Sequence, residues 1–298
     1  MTQPRTVVFA YSDVGFFCLK LLLERDCNVV AVFTHEDNPN ENQWFSSVAK
    51  LAEEHGISVH KPEKLKRSEW ESTFLDEIKP ELILSFYYRN MIPTWILGLP
   101  ALGAYNMHGS YLPKYRGRAP VNWAVLHGES YIGATLHVMV KEPDAGEIVD
   151  QEKVMIGEND TASEVMERVR DAAVVVLGRE IEPLLSGTAP RTPQDESEAT
   201  YFSGRKPEDG RIDWTQSARD SFNLIRAVTR PYPGAFSDSI DSEKRLLVWW
   251  ARVLSSEEAA GLREEKLEPG ALISSEPLVI TCGEGALEVT DFEWIEKP

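Results

Sequence analysis

Apolar positions in the first 130 residues fall into two kinds of segment. Short continuous runs rich in β-branched and aromatic residues predict buried strands. These runs lie at 6–11, 28–35, 81–88 and 103–108. Segments with apolar residues along one helical face predict helices between the strands. They lie at 14–26, 43–56 and 119–128. Because alternating strands and helices form mostly parallel sheets, we expect an α/β, Rossmann-like fold with helices on both faces of the sheet.

The pattern changes after this region. Two strand-like segments, 133–141 and 146–156, flank a turn-forming sequence and are followed by a long amphipathic helix. Thr161 and Glu164 form a capping-box pattern at the start of this helix, which we expect to end near Leu185.

The segment after the long helix, "SGTAPRTPQDESEA", has no periodicity and is rich in Pro, Gly and acidic residues. Beyond a further helix at 218–229, short strand candidates bounded by turn residues predict a small, OB-like β-barrel. We therefore expect three parts, a first domain at 1–187, a linker at 188–200 and a C-terminal domain at 201–298.

Charge and cysteine content limit the partners of this protein. A formal net charge of −17 repels nucleic acid and anionic membranes, so we expect neither as a partner. The three cysteines are widely spaced and lack metal-ligand spacing, which argues against a disulfide framework and a zinc site. Without a signal peptide or an apolar run of membrane-spanning length, a cytoplasmic location is expected. An oligomer is compatible with the sequence.

The first strand-to-helix turn, "YSDVGF", does not favour dinucleotide binding. It contains only Gly15, whereas the dinucleotide fingerprint needs three glycines in a G-x-G-x-x-G arrangement. The chain also lacks the G-x-x-x-x-G-K-[ST] loop of the P-loop NTPases.

Candidate chemistry follows the strand at 103–108. Side chains alternate along a strand, so Asn106 and His108 face the same side, near the strand end where open α/β sheets bind ligands. Either residue alone could be a satisfied polar group at a strand end, but the pair suggests a site. An imidazole can move protons near neutral pH, and an amide can donate to an oxyanion. This combination suits acyl transfer to an amine.

A third group should orient or charge the imidazole. The best candidate is Asp144, in the turn of "KEPDAGEIV", although aspartates are common in turns for local reasons. His137 alternates with apolar residues in a strand, and we expect it to be structural or solvent-facing. The chain has no Ser or Cys in a nucleophile-elbow setting, which disfavours a covalent mechanism.

Two segments, "YNMHGSYLPKYRGRAP" and "KEPDAGEIV", resemble the formyltransferases that use 10-formyltetrahydrofolate. The resemblance extends to "RIDW" (211–214) and "RPYPGAF" (230–236), and hence over most of the chain. It implies a catalytic first domain in which Asn106 stabilises an oxyanion and His108 transfers a proton. Asp144 would favour the charged form of that imidazole.

The resemblance also implies 10-formyltetrahydrofolate as a co-substrate, with no metal. The implied folate contacts are Asn90, Met91, Ile92, Arg118, Val140, Lys141, Glu142, Pro143 and Asp144. Lys114 and Arg116 receive no role.

Within the family, "VVFAYSDVG", "VFTHEDNP" and "SFYYRNMIP" are most similar to members that formylate the 4-amine of UDP-4-amino-4-deoxy-L-arabinose, a step of lipid A modification in polymyxin resistance. Those members continue into a decarboxylating dehydrogenase domain, and the sequence leaves open whether this chain is a stand-alone enzyme or an isolated domain. Three alternatives also stay open. They are a methionyl-tRNA formyltransferase, an N-formyltransferase for another nucleotide-linked amino sugar, and a non-catalytic binding module.

Overall fold

A computed structural model describes residues 3–37, 45–261 and 267–297. The chain forms two compact units. The first combines the residues up to Gly117 with Ile132–Val154 and Glu167–Phe202. The second combines Arg118–Tyr131 and Met155–Met166 with the residues from Ser203 onward.

Helices and strands alternate through the first two thirds of the chain. In chain order they are β1 (Thr6–Ala10), α1 (Ser12–Glu24), β2 (Val29–Phe33), α2 (Val48–Glu54), β3 (Ser58–His60), α3 (Arg67–Ser72), β4 (Leu82–Phe86), α4 (Thr94–Leu97), β5 (Ala104–His108), β6 (Arg116–Gly117), α5 (Pro120–Leu126), β7 (Tyr131–Val138), β8 (Ile148–Met155), α6 (Ala162–Ser186) and β9 (Tyr201–Phe202).

Seven strands of the first unit form one sheet, in the order β3-β2-β1-β4-β5-β7-β8. Strands β1 to β5 pair in parallel, whereas β7 runs antiparallel to β5. The central strands β1 and β4 are buried at every position, as expected of continuous apolar runs in a parallel sheet. The predicted fold class is confirmed.

The core of the first unit is aromatic. Phe9, Phe33 and Phe74 stack on one another, with ring centroids 4.7 and 5.2 Å apart. Each is completely buried. This cluster also includes Ile92 from the loop after β4, and Met139 packs against it from the end of β7. The loops that follow these two strands therefore start from one common core.

The capping box at the start of α6 has the predicted geometry. The N–H of Thr161 donates to the Glu164 carboxylate at 2.8 Å, and the N–H of Glu164 donates to the Thr161 hydroxyl at 3.2 Å.

Several short elements give no clear signal in the sequence. Strand β3 has only three residues, and α3 buries none of its residues. After α3 the chain continues in wide, π-type turns over Thr73–Ile78, which bury Phe74 and Ile78. Such elements depend on packing with the rest of the unit, which no local periodicity reports.

The polar segment predicted as a linker makes regular contacts with the first unit. Thr192 forms an isolated bridge with Ile148, and a short 3-10 turn spans Glu196–Glu198. Directly after the segment, β9 pairs in parallel with β6. The predicted domain limits stay a prediction.

The second unit contains the remaining elements. They are α7 (Ala218–Val228), β10 (Ala235–Ser237), β11 (Lys244–Leu254), α8 (Ser256–Gly261), β12 (Leu272–Ser275), β13 (Leu278–Thr281) and β14 (Ala286–Glu296). Five strands form an antiparallel sheet in the order β10-β11-β14-β13-β12. The strands of this antiparallel sheet all follow those of the α/β sheet along the chain, as predicted.

Within the described ranges no helix is both long enough and apolar enough to cross a bilayer. Cys18, Cys27 and Cys282 are buried free thiols.

Candidate active site

Strand β5 carries the predicted pair into the first unit. It pairs in parallel with β4 on one side and antiparallel with β7 on the other. Asn106 lies opposite His137, and His108 lies opposite Thr135. Because side chains alternate along β5, Asn106 and His108 share one face near the carboxyl end of a parallel strand.

Both ring nitrogens of His108 face acceptor atoms. Nε2 donates to the carbonyl oxygen of Tyr115 at 2.8 Å, since a carbonyl can only accept. Nδ1 lies 3.5 Å from Oδ1 of Asp144. The side chain is 8% exposed. The structure therefore brings together His108 and the aspartate that the sequence selected as its partner.

Asp144 is a nearly buried carboxylate with several donors around it. Its Oδ2 accepts from the N–H of Gly117 at 2.8 Å, and its Oδ1 lies 3.4 Å from Nε2 of His137. Burial alone would raise the pKa of Asp144. The charge of His108, the hydrogen bond and charge of His137 and the Gly117 N–H together hold this pKa well below the usual range of a carboxyl group.

His137 links the predicted residues and was missed by sequence reasoning. Its side chain is 2% exposed, so the solvent-facing expectation is wrong. Nδ1 donates to the carbonyl oxygen of Val138 at 2.9 Å, and Nε2 lies 3.2 Å from Nδ2 of Asn106. Alternation along β7 placed His137 on one face of that strand, but only the pairing of Asn106 with His137 across two strands reveals the contact.

Two residues that contact His108 have left-handed backbone. Tyr115 has φ of 60° and Asp144 has φ of 56°, values that non-glycine residues rarely adopt. Such conformations persist only where surrounding contacts hold them, and they are concentrated at functional sites. The turns that present the Tyr115 carbonyl and the Asp144 carboxylate are therefore held in place by other parts of the unit.

The predicted folate residues after β4 differ in exposure. Asn90 and Met91 are exposed, Met91 at 63%, whereas Ile92 is buried in the aromatic core. Asn90 and Met91 border an open pocket of about 320 Å³. Its other lining residues are Glu63, Lys64, Leu65, Lys66, Tyr88 and Pro93.

The second predicted folate segment leads from β7 to Asp144. Val140 is 40% exposed, and Lys141, Glu142 and Pro143 are also exposed. These side chains are open to a ligand next to the buried carboxylate. Arg118 belongs to the second unit, where it is exposed and its guanidinium lies beside Gly204.

Metal ligands do not cluster in the described part of the chain, where no group of three or more His, Cys, Asp or Glu residues could hold an ion. The arrangement at β5 offers an amide donor, two imidazoles and a carboxylate. This set can stabilise an oxyanion and transfer a proton without a covalent intermediate.

Solved structures with this fold include several N-formyltransferases. An N-formyltransferase from Helicobacter canadensis, solved with folinic acid and dTDP-3-aminofucose, has a TM-score of 0.74 and 21% identity, covering 97% of this chain and 100% of that chain. WlaRD, a sugar 3N-formyl transferase solved with dTDP and 5-N-formyl-THF, has a TM-score of 0.73 and 18% identity over 100% of both chains. A 4-N formyltransferase from Francisella tularensis has a TM-score of 0.62 and 22% identity, covering 79% of this chain and 92% of that chain. At these identities the likeness shows a common fold.

Family models match both parts of the sequence. The formyl transferase model matches residues 16–181, and the formyl transferase C-terminal domain model matches residues 205–298. The first match alone spans more than half of the 298 residues and contains Asn106, His108 and Asp144. The chain therefore belongs to the formyl transferase family.

Proposed function

We propose that this protein transfers a formyl group from 10-formyltetrahydrofolate to the amine of a nucleotide-linked amino sugar. The observation that carries the proposal is the placement of His108 between the Tyr115 carbonyl and the Asp144 carboxylate, on the same strand face as Asn106. Two of the structural relatives were solved with a formylated folate and a dTDP compound, which supports both substrate classes.

The proposed reaction is a direct transfer. The neutral amine nitrogen attacks the formyl carbon, and the carbonyl oxygen becomes an oxyanion that accepts a hydrogen bond from the Asn106 amide. The bond from carbon to N10 of the folate then breaks. One proton leaves the amine and one proton reaches N10, so the products are a formamide and tetrahydrofolate.

His108 is proposed to carry the proton between the two nitrogens through Nε2, with the substrate replacing the contact of Nε2 with the Tyr115 carbonyl. Asp144 stabilises the imidazolium through the contact of 3.5 Å between its Oδ1 and Nδ1 of His108. Because the pKa of Asp144 is held low, the carboxylate stays ionised near neutral pH and can stabilise a positive charge on the imidazole. General acid and base catalysis of this kind contributes about 10²- to 10⁴-fold.

The folate is proposed to bind at the exposed residues that flank the site, Asn90, Met91 and the segment from Val140 to Asp144. The loops after β4 and β7 both start from the aromatic core, through Ile92 and Met139, which gives them a rigid base. Their exposed backbone offers donors and acceptors for the hydrogen-bonding edge of a pterin.

For the acceptor we propose UDP-4-amino-4-deoxy-L-arabinose, on the narrower resemblance of three N-terminal segments. Amino sugars linked to dTDP are the second candidate, because two structural relatives were solved with dTDP compounds. A formylated initiator tRNA is disfavoured as a product, since a net charge of −17 does not supply the basic surface that tRNA needs.

An acceptor panel tests this proposal. The purified protein is incubated with 10-formyltetrahydrofolate and, in turn, UDP-4-amino-4-deoxy-L-arabinose, a dTDP-linked 3-amino or 4-amino sugar, a GDP-linked 4-amino sugar, and methionyl initiator tRNA. Product formation is measured by mass spectrometry and the release of tetrahydrofolate by absorbance. We expect the sugar nucleotides, and not the tRNA, to be formylated. Among them, the UDP compound should have the fastest turnover.

Each other outcome identifies an alternative. Formylation of the tRNA alone would contradict the proposal and indicate a methionyl-tRNA formyltransferase. Tight binding of folate and sugar nucleotide without any product would indicate a non-catalytic module. Faster turnover of a dTDP or GDP compound would correct the nucleotide and leave the reaction class intact.

A further inference from the structure

The polar segment 192–202 contacts both turns that hold His108. One turn presents the Asp144 carboxylate and the other presents the Tyr115 carbonyl, and both have left-handed backbone. The segment and the two turns all belong to the first unit. A stretch with the composition of a linker therefore lies against the candidate catalytic residues.

Gln194 is the residue of this segment that reaches the Asp144 turn. Its Nε2 donates to the carbonyl oxygen of Asp144 at 2.8 Å and to that of Gly146 at 2.7 Å. One amide group therefore hydrogen-bonds to the residues before and after Ala145. These two hydrogen bonds fix the backbone of Asp144, whose φ of 56° would otherwise be unfavourable.

The other end of the Gln194 amide holds Arg116. Its Oε1 accepts from Nε of Arg116 at 3.1 Å and from Nη2 at 2.7 Å. Arg116 is fully buried, and its guanidinium also pairs with the Glu196 carboxylate at 2.7 and 2.9 Å and donates to the Tyr201 hydroxyl at 2.6 Å. In the described part of the chain, the acceptors of this buried cation all come from the segment 192–202.

The neighbours of Arg116 contact the site directly. The N–H of Gly117 donates to Oδ2 of Asp144 at 2.8 Å. The N–H of Tyr115 donates to the Thr200 hydroxyl at 2.8 Å, and its ring stacks on Phe202 with centroids 5.0 Å apart. Arg116 thus anchors its two neighbours in the chain. Tyr115 supplies the carbonyl that contacts His108, and Gly117 supplies the N–H that contacts Asp144.

We propose that Gln194, paired with Arg116, is a positioning residue that sets the distance and orientation of the Asp144 carboxylate relative to His108. The inference rests on the catalytic role proposed for Asp144. The described hydrogen bonds of the Gln194 side chain go to Arg116 and to the backbone carbonyls of Asp144 and Gly146, so Gln194 acts through the backbone of the Asp144 turn. Because misplacement of a catalytic group by about 1 Å costs about 10²-fold in rate, loss of these hydrogen bonds should lower kcat more than it raises KM.

Two substitutions separate positioning from folding. Gln194→Met keeps the side-chain volume nearly constant. It removes the two hydrogen bonds donated to the Asp144 and Gly146 carbonyls and the two accepted from Arg116. Gln194→Glu keeps an acceptor for Arg116 but replaces the donor with a carboxylate oxygen that faces the carbonyls of Asp144 and Gly146. Gln194→Glu should therefore retain the Arg116 contacts and lose those to the Asp144 turn.

Gln151 provides a matched control. Its Nε2 also donates two hydrogen bonds within the first unit, to the Leu112 carbonyl at 2.9 Å and to the Thr135 hydroxyl at 2.8 Å. Gln151→Met removes as many donated bonds as Gln194→Met, but none of them reaches the Asp144 turn. A loss of kcat common to both variants would reflect general destabilisation.

The experiment measures kcat, KM and the thermal midpoint for these variants and for Asp144→Asn, using the best acceptor of the panel. It also measures hydrogen exchange of the Gly117 amide, which reports its bond to Asp144. We expect both Gln194 variants to lower kcat by about 10²-fold with a much smaller change in KM, and to expose the Gly117 amide to exchange. Gln151→Met should retain the protection of Gly117 and most of kcat.

Two results would overturn the inference. The first is a Gln194→Glu variant with near-normal kcat and a protected Gly117 amide, while Asp144→Asn is inactive. The second is an equal loss of kcat in Gln151→Met and in both Gln194 variants. If Asp144→Asn itself keeps full turnover, the catalytic role proposed for Asp144 is wrong, and that failure is distinct from the first two.

Discussion

Nε2 of His137 lies 3.4 Å from Oδ1 of Asp144, so a second imidazole faces the same carboxylate oxygen as His108. The same nitrogen of His137 lies 3.2 Å from the Asn106 amide. One buried ring therefore connects the proposed oxyanion donor with the proposed partner of the proton carrier. Asn106, His108 and Asp144, which were identified from the sequence, thus form one cluster with His137.

Replacing His137 tests this connection. His137→Phe keeps a ring of similar size but removes the contacts to Asn106 and Asp144, so both side chains lose orientation. We expect kcat to fall by about 10-fold or more, since misplaced catalytic groups lose rate steeply. The exposed His55 of the first unit provides the control, because His55→Phe removes an imidazole whose described hydrogen bond goes to the Leu51 carbonyl. Equal activity in the two variants would show that His137 has no part in catalysis.

The ionised state of Asp144 predicts how its contribution to stability varies with pH. Its folded pKa lies well below the ordinary 3.8, with burial opposing and His108, His137 and Gly117 producing the decrease. A carboxyl group with a lowered folded pKa stabilises the protein above its unfolded pKa, and this contribution is lost as the pH falls further. The stability difference between wild type and Asp144→Asn should therefore be larger at pH 5 than at pH 3. Urea unfolding at both pH values measures it, and a difference that grows toward pH 3 would contradict the assignment.

Gly146 tests how tightly the Asp144 turn is packed. A Cβ at Gly146 would overlap the carbonyl oxygen of Val138, so Gly146→Ala requires the backbone to move. We expect a destabilisation of about 1–3 kcal/mol or more, with a loss of turnover because Asp144 is two residues away.

Gly178 in α6 is the matched control for this substitution. A Cβ there would meet Leu21 at an ordinary 3.7 Å, so Gly178→Ala should leave turnover intact. It should also raise stability by up to about 1 kcal/mol, as alanine favours a helix over glycine. Thermal unfolding and kcat of the two variants check both statements. A Gly146→Ala protein as stable and active as Gly178→Ala would show that the turn is free to move.

Much of the α/β unit follows from local pattern. The strands at β1, β2, β4 and β5 bury nearly all of their residues, so each appears in the sequence as a continuous apolar run. The β-branched and aromatic residues of β11, β13 and β14 gave an equally clear signal in the second unit. In contrast, β3 and α3 bury too little apolar surface to produce a periodicity.

The candidate site divides in the same way. Asn106 and His108 stand out because one strand carries both, and Asp144 is a candidate from its turn that the family resemblance strengthens. His137 becomes visible only through the antiparallel pairing of β7 with β5, which brings residues 31 positions apart into contact. Gln194 is harder still, because it lies in a segment whose Pro, Ser and acidic residues are typical of a linker, and its two donations go to backbone atoms. Contacts of this kind depend on tertiary position, which composition does not reveal.

In the proposed direct formyl transfer, His108 carries the proton between the two nitrogens. The most direct measurement compares wild type with His108→Ala and uses mass spectrometry to detect the N-formylated sugar nucleotide formed from 10-formyltetrahydrofolate. Circular dichroism confirms that the variant is folded. We predict product with wild type and a loss of at least about 10²-fold with the folded variant. Product formed at the wild-type rate by folded His108→Ala would contradict the mechanism.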